Sequence, residues 1–142
     1  MEYVYDDGGR RNAGFKGDRA GDCVTRSIAI ATGISYIEVY NALNLLAKNE
    51  RIGKRKNKIS NSRTGVYKQT INKFMESIGW KWTATMQIGL GCKVHLTADE
   101  LPSGRIVCSL TKHCVAVIDG VIHDTYDPSR EGTRCVYGYW SE

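Results

Sequence analysis

His113-Cys-Val-Ala-Val-Ile-Asp-Gly-Val-Ile-His-Asp124 reads as two runs of apolar and β-branched residues joined by Asp119-Gly120. An Asp-Gly pair between such runs marks a two-residue hairpin, because both loop positions need positive φ and these residues tolerate it best. With that loop, Ile118 opposes Val121, Val115 opposes Asp124 and His113 opposes Tyr126. Side chains alternate across a strand, so His113, Val115, Val117, Ile122, Asp124 and Tyr126 share one face. His113 and Asp124 become diagonal neighbours with Cα atoms roughly 7–8 Å apart, within reach of a carboxylate–imidazole hydrogen bond. The bland reading of the same pair is a strand that begins with histidine by chance and an aspartate that caps a turn. His123 falls on the opposite face with Cys114, Ala116 and Ile118 and reads as structural or solvent-facing.

Outward from this hairpin, further short runs rich in β-branched and aromatic residues predict strands over 80–86, 105–110 and 134–139. Thr97-Ala-Asp-Glu100 has capping-box spacing and predicts one helical turn before Pro102. Upstream of Gly79 the period changes from two to that of a helix. Asp22 is a good N-cap residue, the run from Cys23 to Thr32 is apolar almost all round, and Gly33 stands where a left-handed C-cap is expected. Ser35, with Glu38 three residues on, opens a second helix ending near Asn49, with Tyr36, Val39, Tyr40, Leu43, Leu46 and Ala47 on one stripe. A third helix is expected over 66–78, with Tyr67, Ile71, Phe74, Met75 and Ile78 on its buried face. Residues 1–21 are rich in glycine and charge and read as loop with a short strand near Tyr3 to Tyr5. The expected fold class is therefore α+β, with N-terminal helices packed on a C-terminal antiparallel sheet.

The 142 residues, 42% hydrophobic and 25% charged with only two prolines, fit one folded domain over 1–142. No apolar run approaches the roughly 20 residues needed to span a bilayer, and the polar, acidic start does not resemble a signal peptide. A cytoplasmic protein without membrane contact is expected. The five cysteines, Cys23, Cys92, Cys108, Cys114 and Cys135, are odd in number and scattered, which argues against a disulfide framework and for mostly reduced, buried thiols. Cys92-x-x-His95 is the one clean metal-ligand spacing, with Cys108, His113 and Cys114 beyond it. A structural zinc site needs four converging ligands, so no metal and no cofactor are expected.

The chain's net charge of +5 is unevenly placed: positions 48–73 hold nine Lys or Arg against one acid, Glu50. Residues 51–64 read as a long exposed basic loop, with Arg51, Lys54, Arg55, Lys56, Lys58 and Arg63 available to an acidic partner or a phosphate backbone. Lysine-rich loops are more often merely solvated. Nucleic-acid or acidic-partner binding through this segment is the second functional reading.

The first reading is chemical. A thiol is a nucleophile when ionised, and unpaired N–H groups and the dipole at a helix N-terminus lower its pKa. Cys23 is placed at the first position of the buried helix, where the same N–H groups can stabilise an oxyanion. A buried structural cysteine is the competing reading for Cys23 taken alone.

A cysteine opening an early buried helix, followed by a histidine at the start of one strand and an Asp on the next, resembles the papain-like cysteine peptidase superfamily. Gly21-Asp-Cys-Val-Thr-Arg-Ser-Ile-Ala-Ile-Ala-Thr-Gly33 looks like its nucleophile helix, and residues His113 to Asp124 look like its histidine hairpin. The C-terminal Arg130-Glu-Gly-Thr-Arg-Cys-Val-Tyr-Gly-Tyr-Trp140 also resembles small phage and bacterial proteins. The resemblance implies a papain-like fold and a hydrolase, whether peptidase, amidase or deamidase, acting on a peptide, protein or amide. Cys23 would be its nucleophile, His113 its base, and Asp124 would hold the histidine. The glutamine that completes the oxyanion hole in that superfamily is missing, its place being taken by Gly17. Asn12, Asp22 at the helix start and backbone N–H groups of residues 17–21 are the remaining candidates. A catalytically silent papain-like interaction protein is a third possibility.

Overall fold

The computed structural model describes residues 1–16, 21–54 and 57–142. It is an α+β fold with strand β1 (Glu2–Tyr5), helices α1 (Cys23–Thr32), α2 (Tyr36–Ala47) and α3 (Lys68–Ser77), and strands β2 (Lys81–Ala84), β3 (Arg105–Leu110), β4 (His113–Ile118), β5 (Val121–Asp124) and β6 (Gly138–Ser141). The strands form one sheet in the order β1-β5-β4-β3-β6-β2. No helix among the described residues is long and apolar enough to cross a membrane.

The central hairpin follows from its turn chemistry. Asp119 and Gly120 carry φ of 47° and 78°, both left-handed as a tight primed turn requires. Ile118 then faces Val121, Val117 faces Ile122 and Ala116 faces His123. The expected all-antiparallel sheet is corrected at one edge: β1 lies parallel to β5, Tyr5 aligned with Asp124. A parallel neighbour needs a long crossover, and the three helices and strands β2, β3 and β4 lie on that connection.

The strand expected over 134–139 is displaced. The sheet takes Gly138–Ser141 instead, between β3 and β2. Residues 134–136 pair with 94–96, through Leu96 N–H to Arg134 O and Val136 N–H to Val94 O, both 2.8 Å. The expected turn of helix at Thr97 is a hydrogen-bonded turn, with Glu100 N–H reaching Thr97 O at 3.4 Å.

Alternation puts one core on each face of the sheet. Cys114 and Ala116 of β4, with Val107 and Trp140, meet Val24, Ile28, Ala31, Val39, Leu43, Phe74 and Met75 from the helices. Val115, Val117 and Ile122 point the other way and pack with Leu96, Leu101, Ile106, Leu110 and Val136. Ile28, Leu43 and Met75 are fully buried, and truncating any one to Ala would cost about 2–5 kcal/mol.

Two helix ends follow the caps expected of them. Gly33 closes α1 in the left-handed region at φ 79°, its N–H on Ala29 O, and Ser35 Oγ accepts the Glu38 N–H at 3.3 Å to open α2. Tyr67, expected on the buried stripe of α3, is its extended N-cap residue and is exposed. Its N–H reaches Ser60 Oγ at 2.9 Å while Ile71, Phe74 and Met75 fill the core as expected.

The segment read as a free basic loop is partly built into the fold. Ser60 and Ser62 are buried. Glu50 accepts from the backbone N–H and Oγ of Ser60 and from Thr70 Oγ1. Ser62 N–H reaches Asn44 Oδ1, Ser62 Oγ reaches Tyr40 O, and Thr25 Oγ1 reaches Ser62 O. Arg63 is turned inward, donating to Lys16 O and lying 5.4 Å over the Phe15 ring. Arg51, Lys54 and Lys58 are exposed as expected, whereas Arg55 and Lys56 lie outside the described residues.

Candidate active site

Helix α1 packs across β4 on its Cys114 face, and its first residue, Cys23, stands over the start of that strand. Strand β4 begins at His113, so both Cys114 and His113 lie close enough to Cys23 to act on the ionisation of its thiol. The hairpin register brings Asp124 back beside His113, with Nε2 to Oδ2 at 2.7 Å. With Nε2 engaged by the carboxylate, Nδ1 is the ring nitrogen that remains for proton exchange. Cys23 is part-exposed, while His113 and Asp124 are buried, which leaves Cys23 as the most accessible residue of the three.

The electrostatics favour a charged pair. Cys23 is held well below the ordinary thiol range, first by a hydrogen bond from the Cys114 thiol, then by the hydrogen bond and charge of His113 and by the Cys114 backbone N–H, all against the opposing effect of burial. Burial alone would depress His113, but its hydrogen bonds to Asp124 and Cys23 and their negative charges raise it to about 9. Cys114 moves the other way, well above the usual thiol range, because it donates to Cys23 and is buried. It stays a neutral donor to the thiolate.

Asp124 is itself held. Oδ1 accepts from Arg26 Nη2 at 3.2 Å and from the Thr125 N–H at 2.7 Å. Arg26 is buried on α1 and also binds Asp22 Oδ1. Asp22 in turn accepts from Arg10 Nη1 at 3.1 Å and from Tyr36 Oη at 2.6 Å. With Cys23 and His113 as the ion pair these shifts favour, two guanidinium groups and an imidazolium balance two carboxylates and a thiolate among the described residues. Neutrality of this kind is what allows charges to be buried at all. Tyr126 covers the imidazole, ring centroids 5.2 Å apart.

His113 and Asp124 come together as the hairpin register predicts, and α1 sets Cys23 beside them; the oxyanion candidates do not join them. Asp22 stands at the N-cap position of α1 but makes no side-chain cap bond. Its carboxylate is consumed by Arg10, Arg26 and Tyr36, and an acceptor so placed donates nothing to an oxyanion. Asn12 is exposed on the wall of a cleft of about 680 Å³, lined also by Tyr5, Asp6, Arg10 and Phe15, none of them a triad position. Gly17 and its neighbours to Ala20 lie outside the described residues. His123 sits beside Asp6, Nδ1 to Oδ2 at 3.7 Å, away from the site.

Sequence reasoning missed Arg26, Arg10, Tyr36 and Cys114. The signal for Arg26 was present: a lone arginine in an otherwise apolar helix needs a buried anion, and Asp22 lies one turn before it.

Most of the cysteines are reduced as expected, but one pair departs from that reading. Cys92 and Cys135 form a disulfide, Cα atoms 5.8 Å apart, since the 94–96 and 134–136 pairing sets their backbones side by side. Cys23, Cys108 and Cys114 are free. The metal spacing noted at Cys92 and His95 is joined by Cys135, not by Cys108, His113 or Cys114. Comparison with known protein families, with characterised proteins and with solved structures finds no match to this chain.

Proposed function

We propose that the protein is a cysteine-nucleophile hydrolase of papain-like design, acting on an amide or peptide carbonyl. The observation that carries this reading is the 2.7 Å imidazole–carboxylate bond of His113 and Asp124, with Cys23 at the start of α1 beside the imidazole. A thiol at a helix start, an imidazole beside it and an orienting carboxylate are the three parts that nucleophilic acyl transfer requires.

In the proposed cycle the Cys23 thiolate attacks the carbonyl carbon and the π electrons move to oxygen. Collapse of the tetrahedral adduct breaks the C–N bond, and the His113 imidazolium gives its proton to the departing amine, leaving a Cys23 thioester. Neutral His113 then takes a proton from water, the hydroxide adds to the thioester, and the acid leaves as the thiolate and imidazolium are restored. Asp124 holds the ring and stabilises its positive form, and Arg26 holds Asp124. Backbone N–H groups at the start of α1, where Cys23 stands, would donate to the developing oxyanion.

The test is turnover of a panel of fluorogenic peptide and small-molecule amides. Cys23→Ala and His113→Ala are each expected to lower kcat/KM by at least about three orders of magnitude with unchanged far-UV circular dichroism. Full turnover in both variants would end the assignment.

A further inference from the structure

We propose that Cys92, His95 and Cys135 form a site for a zinc-class divalent cation, with Glu100 orienting the histidine, and that the Cys92–Cys135 disulfide is its oxidised, metal-free state. The proposal is independent of the hydrolase reading, since none of these residues touches Cys23, His113 or Asp124.

One ligand atom from each of the three residues falls within 4.8 Å of the others, and all three side chains are part-exposed, open to an entering ion. His95 Nε2 lies 3.5 Å from Cys92 Sγ. With Zn–S near 2.3 Å and Zn–N near 2.0–2.1 Å, a sulfur and a nitrogen on one tetrahedral zinc stand about 3.6 Å apart, so this pair is already at ligand spacing. The other ring nitrogen is engaged as a metal-bound histidine's usually is: Nδ1 is 3.3 Å from Glu100 Oε1, and Glu100 Oε2 accepts from Thr97 Oγ1 at 3.0 Å. A carboxylate behind the histidine fixes its tautomer and aims Nε2 at the ion. Only the two sulfurs must separate, and reducing their bond allows that.

The chemistry balances. A dithiol reductant delivers two electrons and two protons to the Cys92–Cys135 bond, giving two thiols and becoming a disulfide itself. The cation then binds both thiolates and His95 and releases the two thiol protons. Three protein ligands leave a fourth position for water or an outside ligand. In a reducing compartment, where the disulfide does not persist, the metal keeps residues 92–95 tied to 134–136 and so holds the chain leading into β6.

The experiment is Co²⁺ titration of full-length protein, reduced with a dithiol and desalted under nitrogen, followed by Zn²⁺ competition. Wild type is expected to bind one equivalent with thiolate-to-cobalt charge-transfer and tetrahedral d–d bands that Zn²⁺ abolishes. Air-oxidised wild type, Cys92→Ser and Cys135→Ser should show neither band. Glu100→Gln, which removes no ligand, should weaken binding about 10–100-fold, and Cys23→Ala should bind as wild type. Absence of the bands in reduced wild type, their survival in Cys92→Ser or Cys135→Ser, or their loss in Cys23→Ala would each overturn the proposal.

Discussion

At the scale of single residues, the site is a neutral lattice of charges, and its members differ in what their removal should do. Arg26 bridges Asp22 and Asp124 from inside the protein. Arg26→Met leaves both carboxylates buried with one cation fewer, and the expected loss is about 3–5 kcal/mol, read as a lower midpoint in urea denaturation. A loss below about 1 kcal/mol would show the network to be dispensable. Cys114 acts on the sulfur itself. Because its thiol donates to Cys23, Cys114→Ala should raise the Cys23 alkylation pKa by about one unit or more, equivalent to about 1.4 kcal/mol of anion stabilisation. An unchanged profile would contradict that role. His113 and Asp124 were legible in the sequence because a two-residue turn fixes which positions become diagonal neighbours. Asp22 was misread because a cap and a buried ion-pair partner look alike in sequence. Only the fold shows that Arg10 and Tyr36 approach it.

At the scale of elements, α1 works as a positioning device: its Ile28 side is locked into the helical core while Cys23 and Arg26 reach β4 and β5. The N-terminal loop is fitted to this helix at Gly8, whose φ is 70° and where an added Cβ would lie 2.9 Å from Arg26 O. Gly8→Ala meets both a left-handed backbone, costing about 1–2 kcal/mol, and a clash with α1. It should lower the urea midpoint and shift the Cys23 alkylation profile. A variant unchanged in both would mean that the loop does not buttress the helix. Caps and the hairpin turn are local signals, so α1, α2, β3, β4 and β5 were readable almost to the residue. The displaced β6 and the parallel β1 were not, because they depend on which distant strand has an open edge. An aromatic at position 67 satisfies helical periodicity whether it lies inside the helix or caps it.

At the scale of the molecule, the positive charge is split between groups that build and groups that project. Arg63 belongs to the first kind, while Arg51, Lys54 and Lys58 are exposed. Reversing the exposed three to Glu is expected to leave stability within about 0.5 kcal/mol. It should lower the rate of association with acidic substrates in a salt-dependent way. Salt-independent association in wild type would remove any steering role. Composition showed the charge cluster, but Arg63's inward turn depends on Phe15 and Lys16, far away in sequence.

The central claim is that Cys23 and His113 form a thiolate–imidazolium pair, and the most direct measurement is the pH dependence of Cys23 alkylation by iodoacetamide in wild type and His113→Ala. The thiol is lowered, so reactivity should persist far below the ordinary value of about 8.5 and be lost only as pH falls through the depressed pKa. The imidazole is raised, so its proton should remain until pH climbs through about 9. Turnover should therefore be bell-shaped between those limits. In His113→Ala, labelling near pH 6 should fall by more than about tenfold as the thiol moves back toward its unperturbed value. A Cys23 that titrates as an ordinary thiol in both proteins would contradict the account.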